Sequence, residues 1–199
     1  MLGLPNTMPS VGTGMFVLYV LVALVWRSAA HRRRWGDSGS RLAATTEAGK
    51  VAAVVMIAAH LLVLAGVVTT GVGPAAPLVA LGAPVFAVGL VLVARSQAAM
   101  GESWRVGVDP DERTALMTSG VFGVVRNPIF TGMGLCLAGI AVCAGSWLAA
   151  VAVVVFIAGI EVQVRAVEEP YLVRVHGDRF QAYARATGRF LPRLVRSAT

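Results

Sequence analysis

Charge is scarce in this sequence. Only 14% of its 199 residues are charged and 57% are hydrophobic, with a mean hydropathy of +0.75; a soluble domain carries about 25% charged residues. That shortage excludes a large extramembrane domain and leaves room for about five apolar spans of roughly 20 residues. Cysteine is equally sparse. Cys136 and Cys143 lie seven apart on one apolar run, about 10 Å along a helix axis, too far to bond without melting it, so both read as packing residues. No metal-ligand spacing is present, because His31, His60 and His176 are dispersed and far from either cysteine. No dinucleotide fingerprint is present either: Gly71-Val72-Gly73-Pro74 follows an apolar run and lacks the third glycine.

Five apolar runs are present. They cover about 14–25 (or to 30), 51–72, 78–94, 128–144 and 146–160. The cluster Gly71, Gly73, Pro74 and Pro77 separates the second from the third, and Gly145-Ser146 is the only break between the last two, which predicts a tight helical hairpin. His60 interrupts the second run alone, and no partner for it is evident in the sequence. Glycines at 82 and 89, and at 132, 134 and 139, permit close helix approach in lipid.

The 17 basic residues, 16 of them arginine, exceed the 10 acidic ones. All 17 fall in segments 26–50, 95–127 and 161–199, whereas 1–13, 71–77 and 143–146 hold none. In a five-span chain those three segments share one side. The positive-inside rule places them in the cytoplasm, with the N-terminus outside. Topology therefore accounts for the basic excess, and a nucleic-acid partner is not expected, since no aromatic-basic platform accompanies it. The first run reads as a retained anchor, because a signal peptide carries its basic residues before the apolar stretch. The expected fold is an all-α polytopic membrane protein with about five transmembrane helices, the last two a hairpin, and a cytoplasmic C-terminal helical segment. Residues 1–94 form its three N-terminal spans and 95–199 its catalytic region, in one structural domain.

Because the last two spans form a hairpin, Arg126 and the group from Arg165 to Glu169 are expected to meet at the inner surface. Arg126-Asn127-Pro128 has a plain structural reading, proline being favoured at the first helical position. Arg165 and Glu169 could be an ordinary i,i+4 helix pair. The adjacent Glu168 and Glu169 place negative charge there, and a cation is their expected partner.

These residues carry a resemblance. Gly120-x-Phe122-x-x-x-Arg126-Asn127-Pro128-x-Phe130-x-Gly132, then two apolar runs, then Glu168-Glu169-x-x-Leu172-x-x-x-x-Gly177-x-x-Phe180-x-x-Tyr183 and Leu191-Pro192, resembles the isoprenylcysteine carboxyl methyltransferase family. That family shares its pattern with the phospholipid N-methyltransferases, and Gly101-Glu102-Ser103-Trp104-Arg105 resembles its bacterial and archaeal members. The resemblance covers about residues 95–193. It implies an integral enzyme of the bacterial inner membrane that uses S-adenosylmethionine, with Arg126, Asn127, Pro128, Phe130, Gly132, Glu168 and Glu169 at the cofactor site and Arg126 and Arg165 as catalytic candidates. The substrate it implies is a lipophilic molecule or lipidated chain entering from the bilayer.

Three departures from the family pattern bear on the acceptor. Asn127 stands where histidine is usual, Phe122 and Phe130 stand where tyrosines are usual, and Pro170 and His176 occupy atypical tail positions. Asparagine cannot shuttle a proton near neutral pH. A carboxylate acceptor is already ionised and needs only alignment, so carboxyl O-methylation leads and lipid N-methylation follows. An NADPH-dependent sterol-reductase-like enzyme, which shares an Arg-Asn-Pro motif, and a non-catalytic membrane protein are the remaining readings.

Overall fold

A computed structural model describes residues 11–41, 45–70, 76–106, 108–109, 111 and 113–193. Among them six helices form and no strand. α1 spans Val11–Trp35, α2 Glu47–Thr69 and α3 Ala76–Met100. The last three are α4 over Pro128–Ala144, α5 over Trp147–Val162 and α6 over Glu169–Ala186. The expected break at Gly71, Gly73 and Pro74 lies outside the described residues, and Pro77 is the second residue of α3.

α1, α2, α3 and the continuous rod that begins with α5 are long and apolar enough to cross a membrane, while α4 is a shorter apolar helix of 17 residues. The rod runs from Trp147 to Ala186, 40 residues, or about 60 Å at 1.5 Å per residue. That is twice a hydrocarbon core of about 30 Å. Its uninterrupted apolar stretch stops at Ile160, and Glu161, Arg165, Glu168 and Glu169 lie beyond it. This is an integral membrane architecture: apolar side chains such as Val54 and Leu61 on α2 and Val154 on α5 are more than 60% exposed and find their solvent in lipid.

Local chemistry sets the helix ends. Thr46 caps α2 by accepting from the Gly49 N–H, and Glu47 sits in the first turn, where the helix dipole favours a negative charge. α4 starts with Pro128, whose missing N–H costs nothing at the first position. It ends at Gly145, which takes φ 60°. Ser146 then caps α5 by accepting from the Ala149 N–H at 3.3 Å. The hairpin expected at Gly145-Ser146 therefore forms with a two-residue turn.

α4 is the central helix. Nine of its 17 residues are buried, and its seam with α3 runs backbone against backbone. A methyl group at Gly82 would lie 2.6 Å from the Gly139 carbonyl oxygen, and one at Gly89 2.7 Å from that of Gly132. The glycines and both cysteines thus pack as expected, with Cys143 against Gly82 and Cys136 against Gly89. α2 lies along α5, and Phe16, Tyr19, Val63, Phe86, Leu137 and Phe156 fill the centre. His60 meets a partner there: Nδ1–H donates to the Met56 carbonyl at 2.6 Å, so Nε2 accepts from the Tyr19 hydroxyl at 2.7 Å.

The arginine-bearing connectors converge at one end of the bundle. Ser40 and Val106 pair through their backbones, with Val106 N–H donating to the Gly39 carbonyl at 2.8 Å. Arg27, 6% exposed, stacks between Trp35 and Trp104 and donates to the Gly101 carbonyl, which fastens the end of α1 to the turn after α3.

Candidate active site

The site grows from the junction between α5 and α6. Pro170 has no N–H to give the carbonyl four residues back, and the rod widens to π-helix over Gln163–Glu168 just before it. Glu168 and Glu169 therefore leave the helix in different settings. The segment after α6 folds back on the start of α4: Arg126 N–H donates to Gly188 O at 2.8 Å and Asn127 N–H to Arg189 O at 3.0 Å. Asn127 Nδ2 reaches the same Arg189 carbonyl at 3.2 Å, and Thr131 Oγ1 donates to Phe190 O at 2.9 Å.

That fold-back builds a clamp around Glu169. Arg126 Nη2 donates to Oε1 at 2.9 Å, while Arg189 takes both carboxylate oxygens with Nε at 2.8 Å and Nη2 at 2.9 Å. The other arm of Arg126 donates to the carbonyls of Ala184 and Thr187. Its Nε–H is buried without a partner among the described residues. Burial works to raise the Glu169 carboxyl, but the hydrogen bonds from Arg189 and Arg126 outweigh it and hold the group below the usual carboxylate range. Two guanidinium groups on one carboxylate leave a net positive charge.

Glu168 is the opposite case. Among the described residues its hydrogen bond is from Gln163 Nε2 at 3.2 Å. Burial pushes its carboxyl up to about 7, the Glu169 charge adds to that, and the Gln163 bond works against it. A carboxyl poised there exchanges protons at neutral pH.

A cavity of about 500 Å³ joins these groups to the apolar bundle. Arg126, Asn127, Pro128, Phe130, Glu168 and Glu169 all line it. Gly132 and Arg165 stand elsewhere. Gly132 faces α3, where an added methyl would meet Gly89 O at 2.8 Å, so its closeness serves helix packing. Arg165 pairs with Glu161 one turn back and is mostly exposed, because its place in the π-helix points it away from the cavity. Arg189 was not singled out from the sequence; its only signal was its place just before Phe190, Leu191 and Pro192. Tyr171 also lines the cavity, and its hydroxyl accepts from Thr114 N–H at 3.2 Å, which ties the connector over the site. Tyr183 donates to the Phe122 carbonyl at 2.6 Å, so a backbone oxygen is the partner at a position where the family usually has tyrosine. Among the described residues no cluster of His, Cys, Asp and Glu could hold a metal ion.

The model of the phospholipid methyltransferase family matches residues 77–179, more than half of the chain. The match runs from the start of α3 through the connector, α4 and α5 into α6, and includes both motifs of the cavity. No curated protein matches the chain.

Proposed function

We propose, from the premise that this chain belongs to the phospholipid methyltransferase family, that it moves a methyl group from S-adenosylmethionine to the amine of a membrane lipid. The observation that carries this reading is Glu168: a carboxyl poised near pH 7 on the cavity wall, next to a clamp whose charges are mutually engaged.

The residues fit that cofactor chemically. The net positive clamp of Arg126, Glu169 and Arg189 suits its carboxylate, and Glu168 beside it keeps lone pairs free for the acceptor's ammonium. When bound, S-adenosylmethionine supplies a methyl group on a sulfonium sulfur, and the acceptor's lone pair displaces the sulfide. The chain's own work is to present that lone pair. Ionised Glu168 takes the proton from the lipid ammonium at a carboxylate oxygen and so frees the nitrogen as a nucleophile. The base missing at Asn127 is thereby supplied from the π turn between α5 and α6. Asn127 instead holds the fold-back through Arg189 O, and the apolar wall of Phe130, Met133 and Ile57 keeps water from the reaction.

Carboxyl O-methylation is the second reading, favoured by one observation: the unpartnered Arg126 Nε–H offers a single contact to a carboxylate. It needs no base, and the poised carboxyl of Glu168 then has no task. The arginine-bearing end faces the cytoplasm in either case, on the asymmetry of the basic residues. Extraction of lipids after incubating the full chain with methyl-labelled cofactor tests the reading. Label in amine-bearing phospholipids is expected, and transfer only to acidic lipids overturns it.

A further inference from the structure

Two stretches of π-helix occur among the described residues, Leu21–Trp26 in α1 and Gln163–Glu168 after α5. Both reach the same cavity, the first through Ala23 and Leu24 and the second through Gln163 and Glu168. π-Helical turns are rare and concentrate at functional sites. Pro170 accounts for the second. Leu21–Trp26 has no proline or glycine of its own, and what meets it is a side chain from another helix.

That side chain is Gln97, at the cavity end of α3 and 1% exposed. Its Nε2 donates to the Ala23 carbonyl, in the middle of the π turn, at 2.7 Å. This bond fixes the amide's orientation, since the flipped amide would set two carbonyl oxygens against each other. Among the described residues the Oε1 atom is left buried without a hydrogen-bond partner. A buried amide oxygen with no donor is costly, and Gln97 lines the cavity, so a donor held in that cavity removes the cost. Around it the wall is apolar: Ala23, Leu24, Ile57, Leu61, Met100 and Met133. Leu24, Ile57 and Leu61 are also exposed on the outer surface of the bundle, so this part of the cavity borders the lipid.

We infer that Gln97 Oε1 is the hydrogen-bond acceptor that receives an N–H or O–H donor of the methyl acceptor's head group, with the acyl chains lying against the apolar wall toward α1 and α2. This rests on the lipid-amine reading and extends it to a specificity-determining residue. An N–H or O–H donor is also present on the cofactor. The assignment goes to the acceptor lipid because Gln97 is bonded to Ala23 of α1, and the next residue of that turn, Leu24, lines the same cavity and is exposed on the surface of the bundle.

The test uses the full chain in phosphatidylglycerol vesicles with phosphatidylethanolamine as variable acceptor. Gln97→Met removes the acceptor atom and keeps the shape. It is expected to raise the apparent KM for phosphatidylethanolamine about tenfold and to leave affinity for S-adenosylhomocysteine within about twofold, with a lowered unfolding temperature because the Ala23 carbonyl also loses its amide donor. Gln97→Glu, whose protonated carboxyl gives an O–H to the Ala23 carbonyl and keeps an acceptor oxygen, is expected to recover part of the lost KM. An unchanged KM in Gln97→Met overturns the inference. So does a fall in S-adenosylhomocysteine affinity, which assigns Gln97 to the cofactor, or a lowered unfolding temperature with no recovery in Gln97→Glu, which makes it a helix-packing residue. A wild-type chain that binds S-adenosylhomocysteine but methylates no phosphatidylethanolamine overturns the lipid-amine reading itself, and the inference with it.

Discussion

Glu168 and Glu169 are consecutive in the chain and face opposite circumstances. On the clamp side, Glu169 is held by three hydrogen bonds from two arginines, and a third segment of backbone is fastened there through Gly188 and Arg189. On the cavity side, Glu168 has one amide donor and a carboxyl displaced to about 7. Two carboxylates side by side thus differ in partners and in the direction of their pKa shift, with the π turn and Pro170 at their junction. Perturbation in opposite directions is how neighbouring titratable groups come to hold different roles.

The largest expected effect comes from the cavity side. Glu168→Gln keeps the shape and removes the base, so kcat for lipid methylation is expected to fall about 100-fold or more, while thermal unfolding in detergent shows no loss of stability. An equal fall in stability would erase the difference between the two sides. Glu169→Gln is expected to do the reverse: it leaves Arg126 and Arg189 short of their shared partner and costs about 2–3 kcal/mol of stability, with cofactor binding weakened as the fold-back loosens. Unchanged unfolding would show that the clamp is not what holds residues 187–190.

The pH dependence sharpens the contrast. Glu168 is raised in the folded state, so its contribution to stability is full below the ordinary carboxylate range and is lost as pH rises through about 7. Glu169 is lowered, so its contribution is present above that range and is lost as pH falls through its depressed value. Unfolding curves of wild type and Glu168→Gln are therefore expected to diverge between about pH 5 and 8, and the wild-type rate to rise with an apparent pKa near 7. A profile that is flat across neutrality in the wild type would remove Glu168 as the base. The smallest effect belongs to Arg165→Ala. Its exposed i,i+4 pair with Glu161 is worth about 0.5 kcal/mol or less, and activity is expected to stay within about twofold.

Much of the fold was legible because its signals are local. Apolar runs ending at charged clusters marked the spans, Gly145-Ser146 marked the hairpin, and the small residues at 82, 89, 132 and 139 marked a close seam. The meeting of Arg126 with Glu169 was legible from the hairpin alone. What escaped is non-local. Arg189 joins the site only through backbone pairing between 125–127 and 187–190, which leaves no periodic trace. The sequence grouped Arg165 with Glu169 at i,i+4, but the π turn and Pro170 change the register between them, and Arg165 turns back to Glu161. Gln97 was silent because a single amide at the end of an apolar helix shows neither its reach to Ala23 nor its unpaired oxygen. The departure at Asn127 favours an acceptor that needs no base, and a carboxyl that burial displaces to about 7, as at Glu168, is a feature composition does not display.

The chemical form of the transferred methyl group tests the central claim most directly. Lipids labelled by the full chain in vesicles are treated with mild alkali, which releases methanol from methyl esters and leaves N-methyl groups in place. Glu168 acting as the base for a lipid amine predicts alkali-stable label that is lost in Glu168→Gln; label released as methanol, or stable label that persists in Glu168→Gln, contradicts it.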